Sequence, residues 1–527
     1  MMNIKTIMAR GLRSARTLFV FAGILLANQS YSGQNFYVSP QGSDSNNGSI
    51  TLPWKNLAFA VRRVSAGDTI VMRGGTHIVG EVWIDRNKGM GGRPGQYLTI
   101  KAYPGEEPIL QPGRRRLILW ADYVRVEGLH FIMPWRCDAF GGGLQIINNK
   151  FTGPQPKFGA IETGGTDILV EGNFIEYDDT GGNTQDHGIY VHAGERIIIR
   201  DNTVIGSKGY GIHVFDEHKS ADPAEWAANP FVMRDYVLEG NFVAESQERS
   251  GLIIAKGRGG NYITLENMTV GNNVFVGNAQ FGLFIREGEN IKVYNNTLYL
   301  NAFASLLIRY PSPEGGGVPA SDITIVNNIF VTPVSKAHVR NTSSGANLVL
   351  QNNLYNSSPF LEGITDPNAI VGDPQFVDPR KYDFHLQASS PAIDAGIDVG
   401  LPFQGSAPDL GAYEFDESPT GVEESESQPK RFYLHQNYPN PFNPETKIVY
   451  DVLAQAHITI NVYALTGRKV ETLVNEEKAS GSYVVQWDGK DARGKSVPSG
   501  IYFYRLEVLF EDNHAVFRDT KRMILLR

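Results

Sequence analysis

Two similar phrases, GLIIAKGRGGN and GLFIREGENIKVYNNTL, place Lys256 and Arg286 just after the same short apolar run. A lysine held partly neutral can take a proton from the carbon beside a carboxylate. A guanidinium can hold that carboxylate and offset the enolate-like charge that develops. Applied to a uronate sugar, those two roles add up to β-elimination. Related phrases carry more cations and rings. Arg258, Arg309 and Arg340 suit anionic groups, while Tyr190, His192, His213, Phe215 and Phe284 suit sugar rings and hydroxyls. A second constellation gathers Asp178, Asp179, Asp186, His187, His192, His213 and Asp216. Carboxylates with a histidine would serve glycoside hydrolysis or C5 epimerisation, or would hold a divalent cation such as Ca2+. The plainer readings are a solvated face whose arginines pair with Glu287 and nearby acids, and polar turn residues with two exposed histidines.

These side chains meet only if distant stretches stack on one another. The region from Gly188 to Arg309 repeats one phrase: a Gly or Ser, an alternating apolar run, a polar turn, a second β-rich run, then Asn before an apolar or β-branched pair. Asn149, Asn173, Asn202, Asn241, Asn273, Asn296, Asn328 and Asn353 mark the repeat, with a shortest gap of 23 residues and longer gaps that accommodate loop insertions. Strand-only units too short to fold alone predict a β-solenoid, with the asparagines stacked in a hydrogen-bonded ladder. Aligning the repeated strand by its leading apolar residue turns Ile189/Val191, Ile212/Val214, Leu252/Ile254, Leu283/Ile285 and Leu306/Ile308 inward. Tyr190/His192, His213/Phe215, Ile253/Ala255, Phe284/Arg286, Leu307/Arg309 and His338/Arg340 then face outward. Asp216, Lys256 and Glu287 stand one step further along. In this alignment Arg286, Arg309 and Arg340 form a row on successive coils. Such a row of like charge invites an anionic partner, with aromatic residues, Tyr310 among them, as sugar platforms.

The chain has 527 residues, 56 of them glycine, a formal net charge of −8 and a single cysteine. That length allows several domains. The acidic balance argues against a general nucleic-acid binder, and lone Cys137 excludes an intramolecular disulfide or a cysteine zinc site. Lys5, Arg10, Arg13 and Arg16 precede the apolar run 18–27, and Ser30 and Ser32 offer a small-residue cleavage site. This is the pattern of a secretory signal peptide over 1–32. The apolar run is too short for a membrane span, and no later segment approaches that length.

Residues 35–110 begin with the phrases YVSP, GSDSN, GDTI and RGGT around a segment of helical spacing over 54–64. In this order they resemble the entrance of secreted right-handed parallel β-helix proteins, including one family of pectate lyases. The resemblance extends over roughly 35–415 and implies that fold, with the short helix capping the open end. The phrases around Lys256 and Arg286 are similar to those around the catalytic Lys and Arg of chondroitinase B-like and alginate lyases. The acidic calcium-ligand patterns of those families and of the pectate lyases are missing. The Asp178-Asp179 and His187-Gly188 phrases are similar to two phrases of β-helix polygalacturonases, whose other phrases are absent. Residues 370–415, with SPAIDAG and DLGAYE, resemble the closing segment of many such β-helices. Their Asp373, Asp378, Asp394 and Asp409 read as turn caps rather than metal ligands.

Residues 416–430 have linker composition. From Arg431, short alternating runs at 447–452, 457–463, 482–487, 501–508 and 521–526 predict a small β-sandwich. Its phrases QNYPNPFNPETKI, VYALTGRKV and WDGKDARGKSVPSGIYFYRL, with the basic end KRMILLR, resemble the C-terminal sorting domain of the type IX secretion system. The sequence therefore predicts an all-β chain: signal peptide 1–32, right-handed parallel β-helix 33–415, linker 416–430 and sandwich 431–527. The expected protein is a monomer, secreted or held at the outer surface. Its expected partners are an acidic polysaccharide and the type IX machinery. Lyase chemistry at Lys256 and Arg286 is the leading expectation. Hydrolysis or epimerisation at the Asp/His cluster, and binding without catalysis, are the alternatives.

Overall fold

The computed structural model describes residues 33–111, 116–133, 136–154, 156–178, 182–216, 231–256, 263–309, 319–343, 345, 347–415, 433–434, 437, 442, 444–452, 455–464, 467–509 and 515–525. The expected signal peptide and linker lie outside these residues. The rest is all-β apart from short helical turns, and its first part is a right-handed parallel β-helix.

Each coil contributes short strands to three parallel sheets. Among the described residues, one sheet of 12 strands runs from Gly75–His77 to Ile370–Val371. The other two merge into a network of 21 strands, because Gly159–Glu171 and His187–Arg200 cross the corner between them. One of those two, here called the site sheet, stacks Val82–Asp85, Arg116–Trp120 and Arg136–Gly142 on the first halves of the two long strands. It continues through Ile212–Asp216, Leu252–Lys256, Phe281–Ile285, Ala304–Ile308 and Ala337–Asn341. Period-two alternation sends one residue in two into a single continuous core, and all ten side chains expected to face inward are buried there.

The asparagine repeat fixes how the coils stack. Each Oδ1 from Asn173 to Asn353 accepts both the backbone N–H and the Nδ2–H of the asparagine one coil before, from Asn173 Oδ1 with Asn149 to Asn353 Oδ1 with Asn328, at 2.9–3.1 Å. The residue before every ladder asparagine has positive φ: Asn148, Gly172, Asp201, Gly240, Asn272, Asn295, Asn327 and Asn352. That left-handed residue turns the chain so that the next side chain points along the stack. Asn and Gly tolerate the conformation, which explains the recurring Asn-Asn and Gly-Asn pairs. Asp366 closes the ladder, its Oδ2 accepting from Asn353 Nδ2 at 2.9 Å. A second, shorter ladder at another corner, Asn278 to Asn301 at 2.8 Å, was not foreseen.

The expected helix over 54–64 is a single turn, Leu57–Ala60. Its apolar face still closes the solenoid, with Trp54, Leu57, Ala60 and Val61 buried against the first coil. The closing segment lies along the outside of the 12-stranded sheet, where Phe376, Phe384, Leu386, Ala392 and Leu410 cover Val274, Val276, Ile329 and Leu354. Its aspartates act mainly in turns. Asp373 Oδ1 accepts from Gln375 N–H, Asp394 Oδ1 from the N–H groups of Ser406 and Ala407, and Asp409 from those of Asp394 and Phe415, while Asp378 pairs with Lys381. The C-terminal unit packs a three-stranded antiparallel sheet against a four-stranded one around Trp487, Tyr450 and Tyr504. It includes a strand, Lys469–Lys478, that its charged sequence concealed.

Candidate functional site

The closing segment covers the later strands of the 12-stranded sheet, and the site sheet carries the chemistry-bearing residues that the sequence singled out. Its register is continuous. Trp83 pairs with Ile118, then Asp138, Glu162, Tyr190, His213, Ile253, Phe284, Leu307 and Arg340 follow as neighbours on successive coils. These positions face outward, as expected, but they do not all face water. Ile253, Ala255, Phe281, Phe284, Ala304, Leu307 and Ala337 form a second apolar layer on the outside of the sheet, with Tyr210 and Phe215 against it. The strands LIIA, LFI and SLLI carry the signal for this: runs apolar at every position are what a strand buried on both faces requires.

Above that layer opens a cleft of about 410 Å3, walled by Tyr210, Arg249, Phe281, Phe303, Arg309 and Arg340 over a floor of Phe284 and Leu307. Arg309 is exposed and has no carboxylate partner among the described residues. Arg249 stands at the opposite wall, its guanidinium 6.0 Å from the Tyr210 ring, and its Nε is buried without a hydrogen-bond partner. Arg249 was missed in the sequence because it precedes the strand, in a turn that the alternation does not reach. The expected row of three arginines is corrected: Arg340 pairs in register with Leu307, not Arg309, and its Nε donates to Glu362 Oε2 at 2.9 Å.

Lys256 and Arg286 keep the expected alignment, one step apart on neighbouring coils. Leu252 lies opposite Leu283, so Ala255 lies beside Arg286 and Lys256 beside Glu287. Glu287 is 2% exposed, accepts the Lys256 backbone N–H at 3.0 Å and pairs with Arg286 Nε at 3.2 Å. Burial raises the Glu287 pKa against the opposing pull of Arg286 and Lys256. Burial also lowers the Lys256 pKa, opposed by Glu287, Glu289 and Glu266. Desolvation thus shifts the amine toward its neutral form.

Of the Asp/His constellation, the structure gathers His187, His192 and His213 around Tyr190. Asp186 is a buried turn cap whose oxygens accept from Phe158 N–H and Asn183 N–H. His187 and His213 are buried, not exposed, with ring centroids 4.1 Å apart. His187 Nδ1 accepts from Tyr210 N–H at 3.0 Å, and burial beside Arg249 pushes its pKa down to about 3. Burial, with His187 next, holds His213 well below the usual histidine range. Both rings are neutral packing elements near pH 7. Asp178 is exposed at the end of strand Phe174–Tyr177. Asp216 ends its strand opposite Lys256. Asp179, Arg258 and Tyr310 lie outside the described residues. Calcium would need several oxygen ligands together; among the described residues no three His, Cys, Asp or Glu side chains converge in that way.

The early coils of the same face hold a charge network that sequence reasoning did not find. Arg116 bridges Glu81 and Asp138 at 3.3 and 2.9 Å. Arg136 bridges Asp138 and Glu162 at 2.9 and 3.3 Å, and Glu162 contacts His192 Nε2 at 3.0 Å. Burial raises the Asp138 pKa, with Glu162 adding to it. Burial works the same way on Glu162, but the His192 hydrogen bond together with Arg136 and Arg116 leaves its pKa lowered. Every cation here already has an anion.

Residues 36–233 match the family model for the Pel9A-like right-handed β-helix region, and residues 187–366 match that of a right-handed β-helix region. The solenoid is a right-handed β-helix related to that of pectate lyases. Residues 444–509 match the FlgD Ig-like domain. The chain is 24% identical over 456 residues to the uncharacterized protein YwoF of Bacillus subtilis, covering 69% of this chain and 93% of that one. It is 33% identical over 96 residues to pectate lyase PEL9 of Emericella nidulans, covering 18% of this chain and 22% of that one. The crystal structure of pectate lyase Pel9A superposes with a TM-score of 0.45 at 18% identity, covering 73% of this chain and 97% of that one.

Proposed function

We propose that this protein binds an acidic, uronate-containing polysaccharide in the cleft of the site sheet and cleaves it by β-elimination. One observation carries the reading. Arg309 and Arg249, without carboxylate partners among the described residues, stand across a cleft lined by Tyr210, Phe281, Phe284 and Phe303. Guanidinium groups supply paired hydrogen bonds to sugar carboxylates, and the rings supply flat apolar surface for pyranose faces. In the elimination, Lys256 as base takes the C5 proton. The C5–H electron pair forms the C4–C5 double bond, the C4–O glycosidic bond breaks, and the departing oxygen takes a proton from water. A lowered amine pKa raises the fraction of Lys256 able to accept that proton near neutral pH. Arg286, held in place by Glu287, and Arg309 offset the charge that develops on the carboxylate.

The test is a panel of polygalacturonate, alginate, chondroitin and neutral glycans, followed both by ultraviolet absorbance of an unsaturated uronate and by release of reducing ends. Absorbance on an acidic glycan supports elimination. Reducing ends without absorbance point to hydrolysis, and retention without either to a binding protein. We further propose that the chain is exported, the basic and apolar start acting as signal and the C-terminal sandwich as a type IX sorting module. Mass spectrometry of the secreted protein from its host checks this; a product that retains both 1–32 and 431–527 refutes it.

A further inference from the structure

Far from the cleft, on the first coils of the site sheet, two tryptophans stay in the open. Trp83 and Trp120 are 37% and 49% exposed, on the same face where Ile253, Phe284 and Leu307 are covered. Their rings meet edge to face, with centroids 5.6 Å apart. Trp83 Nε1 donates to Glu81 Oε2 at 2.9 Å, and Glu81 in turn pairs with Arg116. At the strand end Arg86 donates to the carbonyls of Trp120 and Phe140, at 3.3 and 3.2 Å. Trp83 is thus held through its N–H and Trp120 through the ring contact, while both stay partly exposed, an arrangement that costs hydration.

An aromatic path leads from this pair to the cleft. Phe140 follows Ala139, the register neighbour of Leu119, and so continues that register to the level of Trp120. Gly164 on the next coil has no side chain, and Phe140 reaches across it to His192 at 5.5 Å. His192 stacks on Tyr190 at 4.1 Å, Tyr190 on His213 at 4.7 Å, and His213 on Tyr210, a wall of the cleft, at 4.8 Å. Trp83 and Phe284 are seven strand spacings apart in the register, roughly 34 Å at about 4.8 Å each.

We infer that Trp83 and Trp120 form a distant glycan-stacking subsite that holds the same acidic polysaccharide whose uronates occupy the cleft. The inference rests on the proposed function and sharpens it: the substrate is a long polymer laid along the solenoid axis. The apolar faces of pyranose rings lie on the indoles, while the carboxylates are engaged at the arginines of the cleft.

The experiment compares affinity for whichever polymer of the panel the wild type retains with affinity for its trisaccharide, which is too short to span the track. Full-length wild type, Trp83→Ala, Trp120→Ala, Trp120→Phe and Arg309→Gln are measured, each with its thermal unfolding midpoint. We expect each Trp→Ala change to weaken polymer binding about three- to tenfold, with trisaccharide binding and midpoint unchanged and Trp120→Phe close to wild type. Arg309→Gln should weaken both ligands. If Arg309→Gln weakens both but Trp120→Ala leaves polymer affinity intact, the subsite is refuted and the cleft stands. If Trp120→Ala lowers the midpoint without touching polymer affinity, the indoles are covered by another part of this chain and the inference fails. If no acidic polymer is retained at all, the proposed function falls and takes the subsite with it.

Discussion

On one sheet of this solenoid, the early coils and the late coils treat charge in opposite ways. From Glu81 to His192 every guanidinium on the outer face has its anion: Arg116 between Glu81 and Asp138, Arg136 between Asp138 and Glu162. Around the cleft, Arg309 and Arg249 have none among the described residues, and they stand beside rings instead of carboxylates. The strands, their spacing and their alternation are the same in both places, so the backbone does not cause the difference. A buried ion network satisfies itself and has nothing left to offer a ligand, whereas an unmatched cation over an apolar floor is stabilised only when an anion arrives. The early coils use charge to hold the outer face together, whereas the late coils pair Arg286 and Arg340 and leave Arg249 and Arg309 available.

The comparison is broken most severely by a change at the reacting centre. Lys256→Ala removes the proposed base and should cost about two to four orders of magnitude in turnover on the active uronate glycan. The unfolding midpoint should hardly move, because the side chain lies outside the solenoid core. Steady-state rates with a melting curve check both, and near-full turnover would exclude Lys256 as base.

The opposite pattern is expected at Arg136. Its side chain is 14% exposed, and its removal leaves Asp138 with Arg116 alone and Glu162 with His192 alone. Arg136→Ala should lose about 3 kcal/mol of stability in denaturant unfolding, the scale for breaking a buried pair. Polymer affinity, measured below the new midpoint, should stay within about twofold of wild type. A variant that binds poorly yet unfolds normally would place Arg136 in the binding site instead.

Acid should strain the junction between the two regions. The folded pKa of His187 is held near 3, below its ordinary 6.5, so the neutral ring's contribution is complete above about pH 6.5 and is lost as pH falls toward the folded value. By about pH 4 the expected loss is about 3 kcal/mol. His187→Asn, which keeps an acceptor for the Tyr210 N–H, should flatten that part of the stability profile. An unchanged acid limb would mean that other groups cause it.

How much of this was legible beforehand depended on whether a signal repeats in kind or only in space. The asparagine ladder was readable because one residue type recurs before one kind of pair, with φ > 0 residues preceding it. The inward side chains were readable because alternation separates the two faces. Arg340 was misplaced because alternation cannot detect a slip of two residues: pairing Arg340 with Arg309 or with Leu307 leaves the same side chains in the core. The same alignment did set Lys256 level with Asp216 and Glu287, as the stack has it. The charge network stayed hidden because its partners lie on different coils, 22 and 35 residues apart for Arg116 alone, with no spacing of their own. His187 and His213 looked like surface groups because their cover comes from rings on neighbouring strands.

The smallest change expected is also the most direct test. Full-length wild type, the double variant Arg249→Gln/Arg309→Gln, and Arg200→Gln are passed over an immobilised acidic glycan of the panel. Salt rises from low concentration to about 1 M, where screening shrinks to about 3 Å. Arg200 is a fair control, an exposed guanidinium already bound to Glu171 at 2.7 Å. Wild type and Arg200→Gln should be retained and released together as salt rises, and the double variant should elute early with its unfolding midpoint intact. Equal retention of all three proteins would contradict the claim that the unmatched arginines of the late coils are there to bind a polyanion.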